Sequence, residues 1–369
     1  MNGYTGGANV AVYYVDGENG SNSDDGGSVA DAWQTIQKAF DKIADGTINN
    51  GDEVRIIETQ ANDGRHYDLS AALNPAWDNV ELLITGANAA GDVDGTVVLI
   101  DGSNLNSSTP MLDMGATECE RAVWANLHFD ASDDAQYCVE SAANNNYQVW
   151  VNCRFSQAVS NGVHRVGNTY WSMINCRFDN NGGDGMNAGN TSFGVIYKCL
   201  FDNNAGDGAE SGVRDKWISC IFYKNGGDGA NINMSGGIVV DCVFDDNTSD
   251  GLFDAGTTIQ GVRVNNIYSN NGAYGVNHDT NTDSMGFNEV FYNNNSDFDD
   301  VALVSVFNYT PGASGFNPSF VDRVNFDFTT GSTFEGHGLG MSTPYKWFGS
   351  TAADAGVGKW RSSETISIF

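Results

Sequence analysis

The chain is short of proline, with 5 in 369 residues, and short of cations, with 17 lysines and arginines against 47 aspartates and glutamates. The resulting net charge of -30 excludes a phosphate-binding groove, because nucleic acids are held by basic surfaces, and it sets the chain against anionic membranes. No apolar run is long enough to cross a bilayer, and the opening Met1-Asn2-Gly3-Tyr4 lacks the basic start and apolar stretch of a secretory leader. Helical periodicity is also missing between the turns, so a helical array is excluded. The 7 cysteines are an odd number, and 5 of them recur in one register. They read as small inward hydrophobes of a protein assembled in reducing cytosol, not as a disulfide framework.

What is present is a repeat. Cys153, Cys176, Cys199, Cys220 and Cys242 are separated by 23, 23, 21 and 22 residues, and each has a phenylalanine two places on: Phe155, Phe178, Phe201, Phe222 and Phe244. Asn266/Tyr268 and Glu289/Phe291 continue the series at steps of 24 and 23, and Leu127/Phe129 is an earlier member. Turn blocks follow, from Asn181-Gly-Gly-Asp184-Gly185 to Asn271-Gly-Ala-Tyr274-Gly275. Self-similarity at this period means a solenoid, and the alternation in Val151-Asn152-Cys153-Arg154-Phe155 means one made of strands. Apolar side chains then stack on their counterparts about 4.8 Å away in the next coil, and a parallel β-helix results. The column Asn181, Asn204, Asn225, Asn247, Asn271 and Asn294 predicts an amide ladder.

Coil array, entry segment and exit segment together resemble the right-handed single-stranded parallel β-helices of the pectate-lyase-like superfamily, some of which are phage tailspike and virion proteins. The entry runs from Tyr13-Tyr14-Val15-Asp16-Gly17 to Trp33-Gln34-Thr35-Ile36-Gln37-Lys38-Ala39, and the exit from Phe316 to Ser332. The resemblance implies an all-β fold with an N-terminal strand and capping helix over residues 1–60, a β-helix over 61–310, and a closing segment and tail over 311–369. The tail anchors Tyr345, Trp347, Phe348 and Trp360 are expected to pack back on the helix or to meet a partner.

Several residue groups invite chemistry. Asp184, Asp207, Asp228 and Asp250 share one register, which places carboxylates a strand spacing apart and suits Ca2+; the alternative is that each caps its own turn. Tyr274-Gly275-Val276-Asn277-His278-Asp279 resembles an acid-base phrase of mannuronan C5-epimerases, with Tyr274, His278 and Asp279 as candidates, although one residue is missing before the histidine and Asn277 stands where that phrase has an aspartate. A lyase would use Arg214, Lys216 or Arg177 as a base. Extending the strand alternation back from Cys153 turns Trp150 and Trp217 outward, with Trp171 nearby, and these rings beside Asn175 and Arg177 would bind sugar or else lie under a loop or in a subunit interface.

Two classes of function follow. One is a virion-associated or cell-surface structural and receptor-recognition protein that binds surface glycans, as a homotrimer or with other virion proteins. The other is a calcium-dependent lyase, epimerase or hydrolase acting on an acidic glycan.

Overall fold

The computed structural model describes residues 10–306 apart from 59–66, 78–79, 116–118, 142–144, 168–169, 256–260, 279–284, 288 and 299–304. Asp279, the exit segment and the tail anchors therefore lie outside the described residues. Three parallel sheets wind around one core. The first has 12 strands, from Val12–Val15 through Glu53–Ile57 and Leu82–Ala87 to Ser305–Val306. The second has 9, from Val98–Asp101 to Val290–Tyr292, and the third has 9, from Leu112–Asp113 to Ser296–Phe298. Each coil visits the three sheets in turn, so strands that touch are one repeat apart in sequence, as Phe155 is paired with Phe178 and Phe178 with Phe201. The phenylalanine register stacks ring on ring, with centroids 4.5 Å apart at Phe178/Phe201 and 4.7 Å at Phe222/Phe244. All seven cysteines are buried and free.

The corner between the first and second sheets is a single left-handed residue: Asn152, Asn175, Lys198, Ser219, Asp241 and Asn265 have φ between 53° and 56°. Asparagine visits this region more readily than most residues, which explains its recurrence at the corner. This corner also corrects an expectation. Alternation does not carry through a left-handed residue, so the first-sheet row that faces inward is Trp124, Trp150, Met173, Ile196, Trp217, Val239 and Arg263, all of them buried. Trp150, Trp171 and Trp217 are at most 1% exposed, so none of them can meet a sugar.

The second corner carries the expected ladder. Asn204 donates through Nδ2 to Asn225 Oδ1 at 3.0 Å and to the Phe178 carbonyl at 3.1 Å, and Asn225 repeats this on Asn247 and Phe201. At the N-terminal end the helix Ile36–Ala44, capped by the Thr35 hydroxyl, buries Ile36, Ala39, Phe40 and Ile43. Phe40 meets Trp77 and Trp124 edge-on, closing the apolar end that a solenoid would otherwise leave open.

Candidate functional site

Beside the first sheet runs a column of residues that no strand rule demands. Arg121, Tyr147, Tyr170, Phe193 and Arg214 each stand two positions before the paired residues Val123, Val149, Ser172, Val195 and Lys216. All five have positive φ, from 55° to 64°, and Gly236 continues the column at 75°. For bulky side chains this conformation costs on the order of 1–3 kcal/mol per residue, and such strain gathers at functional surfaces. The rings of Tyr147 and Tyr170 lie 5.3 Å apart and 4° from parallel, and those of Tyr170 and Phe193 are 5.1 Å and 13° apart. The Arg121 guanidinium covers Tyr147 at 5.7 Å and that of Arg214 covers Phe193 at 5.2 Å. With the ring faces occupied in this way, the exposed parts are ring edges, and Tyr147 and Tyr170 remain 47% and 48% exposed.

On the neighbouring outward face of the first sheet, acid is confined to the entry strand, where Glu53 lies in one row with Leu83 and Val123 and is paired with Arg55. One row reads Val123, Val149, Ser172, Val195, Lys216, Ile238, Val262 and Met285, and the other Ala125, Val151, Ile174, Tyr197, Ile218, Val240, Val264 and Phe287. In a chain of net charge -30, two successive rows without a carboxylate from Val123 and Ala125 onward make a distinct surface, and Lys216 with Arg214 gives it a positive centre.

The sequence candidates lie elsewhere. Asn175 stands in the first corner, where its Nδ2 donates to Asn152 Oδ1 at 2.7 Å. Arg177 faces the other side of the coil on the second sheet, bound to Asp202 through two hydrogen bonds of 2.8 Å, with Asp179 3.4 Å away. Asp179 and Asp202 are fully buried there, so the guanidinium compensates their charge and is not a base.

Asp184, Asp207, Asp228 and Asp250 do form a column, by a route the sequence did not specify. Each Oδ1 accepts the backbone N–H of the next coil's turn, at 2.9, 2.7, 2.9 and, for Tyr274 above Asp250, 2.8 Å. The carboxylates thus link turns from coil to coil, and among the described residues no group of three or more His, Cys, Asp or Glu side chains gathers as a metal site. Burial, followed by repulsion from Asp228 and Asp184, pushes Asp207 up to about 7.

Tyr274 occupies the aspartate register at the turn, whereas His278 faces the interior, with Nδ1 3.3 Å from Asp254 Oδ2 and Nε2 3.5 Å from Arg263 Nη1. Four strand residues separate the two by about 13 Å, so the epimerase-like phrase does not assemble a surface acid-base pair.

The exposed column was missed in the sequence, though a signal was there. Tyr147, Tyr170, Phe193 and Arg214 lie six residues ahead of Cys153, Cys176, Cys199 and Cys220 and share their steps of 23, 23 and 21.

No family model matches the chain, and no curated protein does. Solved structures do. Pectate lyase Pel9A superposes with a TM-score of 0.64 at 16% identity over 86% of this chain and 84% of that one. A rhamnogalacturonan lyase gives 0.58 at 16% identity over 84% and 90%. The A-module of the Azotobacter vinelandii mannuronan C-5 epimerase AlgE4 gives 0.51 at 14% identity over 76% of each chain. Likeness at this level of identity establishes the shared fold.

Proposed function

We propose that this chain, a right-handed parallel β-helix with the pectate-lyase-like fold, recognises an extended anionic polysaccharide along its first sheet without cleaving it. One observation carries the reading: the exposed column Arg121, Tyr147, Tyr170, Phe193 and Arg214, closed at one end by the Glu81 partner of Arg121, borders rows around Lys216 that hold no carboxylate from Val123 and Ala125 onward. Apolar sugar faces rest on the part-exposed row of Val149, Val195, Ile238 and Val262, and hydroxyls meet the ring edges and phenols. Anionic substituents meet Lys216 and Arg214. A lyase or epimerase would need a carboxylate beside its base, and from Val123 and Ala125 to Met285 and Phe287 neither first-sheet row supplies one. Seven buried free thiols suit a protein assembled under reducing conditions and then displayed on a virion or cell surface.

The test is a panel of anionic and neutral polysaccharides, with binding followed by calorimetry and cleavage by unsaturated-product absorbance and reducing ends. The expected result is binding without product, weakened at least tenfold in Tyr147→Ala/Tyr170→Ala and in Lys216→Ala. Product from the wild-type chain would replace recognition with catalysis, and undiminished binding by both variants would remove this surface.

A further inference from the structure

Directly beneath the exposed column, one residue further along the chain, runs a buried one. Trp171 follows Tyr170, Gly194 follows Phe193 and Asp215 follows Arg214. Asp215 is fully buried, and its Oδ1 accepts the Gly194 N–H at 2.6 Å. Gly194 is wedged: a Cβ there would come within 2.4 Å of Trp171 Cζ2 and 3.0 Å of Asp215 Oδ1, so no side chain fits. The Trp171 ring in turn carries the guanidinium of Arg165, 5.2 Å from the ring centroid and 1% exposed. Among the described residues none of the three Arg165 nitrogens has a hydrogen-bond partner within the protein, and neither has Asp215 Oδ2. A buried cation and a buried carboxylate held this way, with atoms unpaired, are costly unless the surroundings over-determine them.

We infer that the Arg165/Asp215 couple is the internal mount of the exposed column: acting through Trp171 and Gly194, it fixes the set of Tyr170, Phe193 and Arg214, and its charge state sets their geometry. The inference rests on the reading of that column as the recognition surface. Asp215 is the positioning residue. Ionised, it holds the Gly194 amide by a charge-assisted hydrogen bond and balances Arg165; protonated, it loosens that bond and leaves the guanidinium uncompensated. The groups that face it from the elements packed around it are the Gly194 N–H, which makes its hydrogen bond, the Gly212 N–H and the Ser211 hydroxyl, which stand near it short of hydrogen-bond geometry, and Arg165. Its own segment adds Arg214 and Lys216, both exposed. Burial outweighs the donors and pushes Asp215 up to about 7, while burial pulls Arg165 down to about 10.

The experiment reads the column itself and needs no ligand. The chain is labelled with 4-fluorophenylalanine, which does not itself ionise, the Phe193 resonance is identified by its loss in Phe193→Tyr, and its fluorine shift is followed from about pH 5 to about pH 9. The expected result is a single titration near neutrality that vanishes in Asp215→Asn, whose amide keeps the acceptor for Gly194. In Arg165→Met the midpoint moves upward, because the balancing charge has gone, and in Asp207→Asn it is unchanged. A flat wild-type trace, or an Asp215→Asn trace that still titrates, overturns the inference; the wild-type curve decides even if a variant fails to fold. A chain that titrates but binds no polysaccharide would keep the mount and lose the proposed function. A chain that binds but stays flat would do the reverse.

Discussion

Arg263 and Glu289 form an ion pair with both side chains wholly buried, Nε to Oε1 at 3.2 Å, at positions that hold tryptophan and cysteine in earlier coils. Tyr268 adds its hydroxyl to the same Glu289 oxygen at 3.1 Å, and His278 reaches Arg263 from the third sheet. The apolar core therefore gives way to a charged one in the later coils.

Removing one member of that pair strands the other in the core. Glu289→Leu should cost about 3–5 kcal/mol, whereas Arg263→Met combined with Glu289→Leu should recover most of it. Urea unfolding of the three proteins checks the order, and equal losses in single and double variants would show that the pair carries no such coupling.

The amide ladder makes a sharper demand. Asn225 donates to Asn247 and Phe201 and accepts from Asn204, so Asn225→Ala should lose at least ~2 kcal/mol by leaving buried groups unpaired. Asn225→Asp should be worse near neutrality and improve in acid, where the protonated carboxyl can donate again. Thermal melts at the two pH values test both statements.

Asp207 fixes the sign of a pH dependence. Its folded value, about 7, lies above the ordinary carboxylate value of about 3.9, so the folded state holds the proton longer. Its contribution to stability is full in acid, declines as pH rises from about 4 to about 7 and is flat above. Asp207→Asn should flatten that slope, as measured by unfolding free energy against pH; a slope unaltered by the substitution would mean that Asp207 is ionised throughout.

All seven thiols are buried, and burial pushes those of Cys138, Cys153, Cys199 and Cys242 well up. An aromatic disulfide reagent should therefore label none in the native chain and all seven after unfolding. Rapid native labelling of even one would contradict the inward ladder.

The repeat was legible because side chains in stacked coils must match: the Cys-x-Phe spacing predicts the paired strands, the stacked rings and the inward thiols from residue identities alone. The asparagine column was legible for the same reason. The tryptophans were not, because facing depends on where alternation stops, and one left-handed residue at Asn152 reverses it, with the recurrent asparagine at that corner as its only mark in the sequence. The aspartate register was legible as a column, but the bond from each carboxylate to the next coil's turn amide was not, since nothing in the letters says which turn a carboxylate caps. The aromatic column stayed hidden because its residues, tyrosine, phenylalanine and arginine, share backbone conformation and exposure without sharing a chemical type.

The single-residue corner at Asn152 and its successors has a mechanical meaning. With so short a link between sheets, each coil closes on itself, and its hydrogen bonds point to the coils above and below. A pull along the axis loads the interfaces one after another, and the weakest alone decides failure. A sideways push is shared by many coils at once.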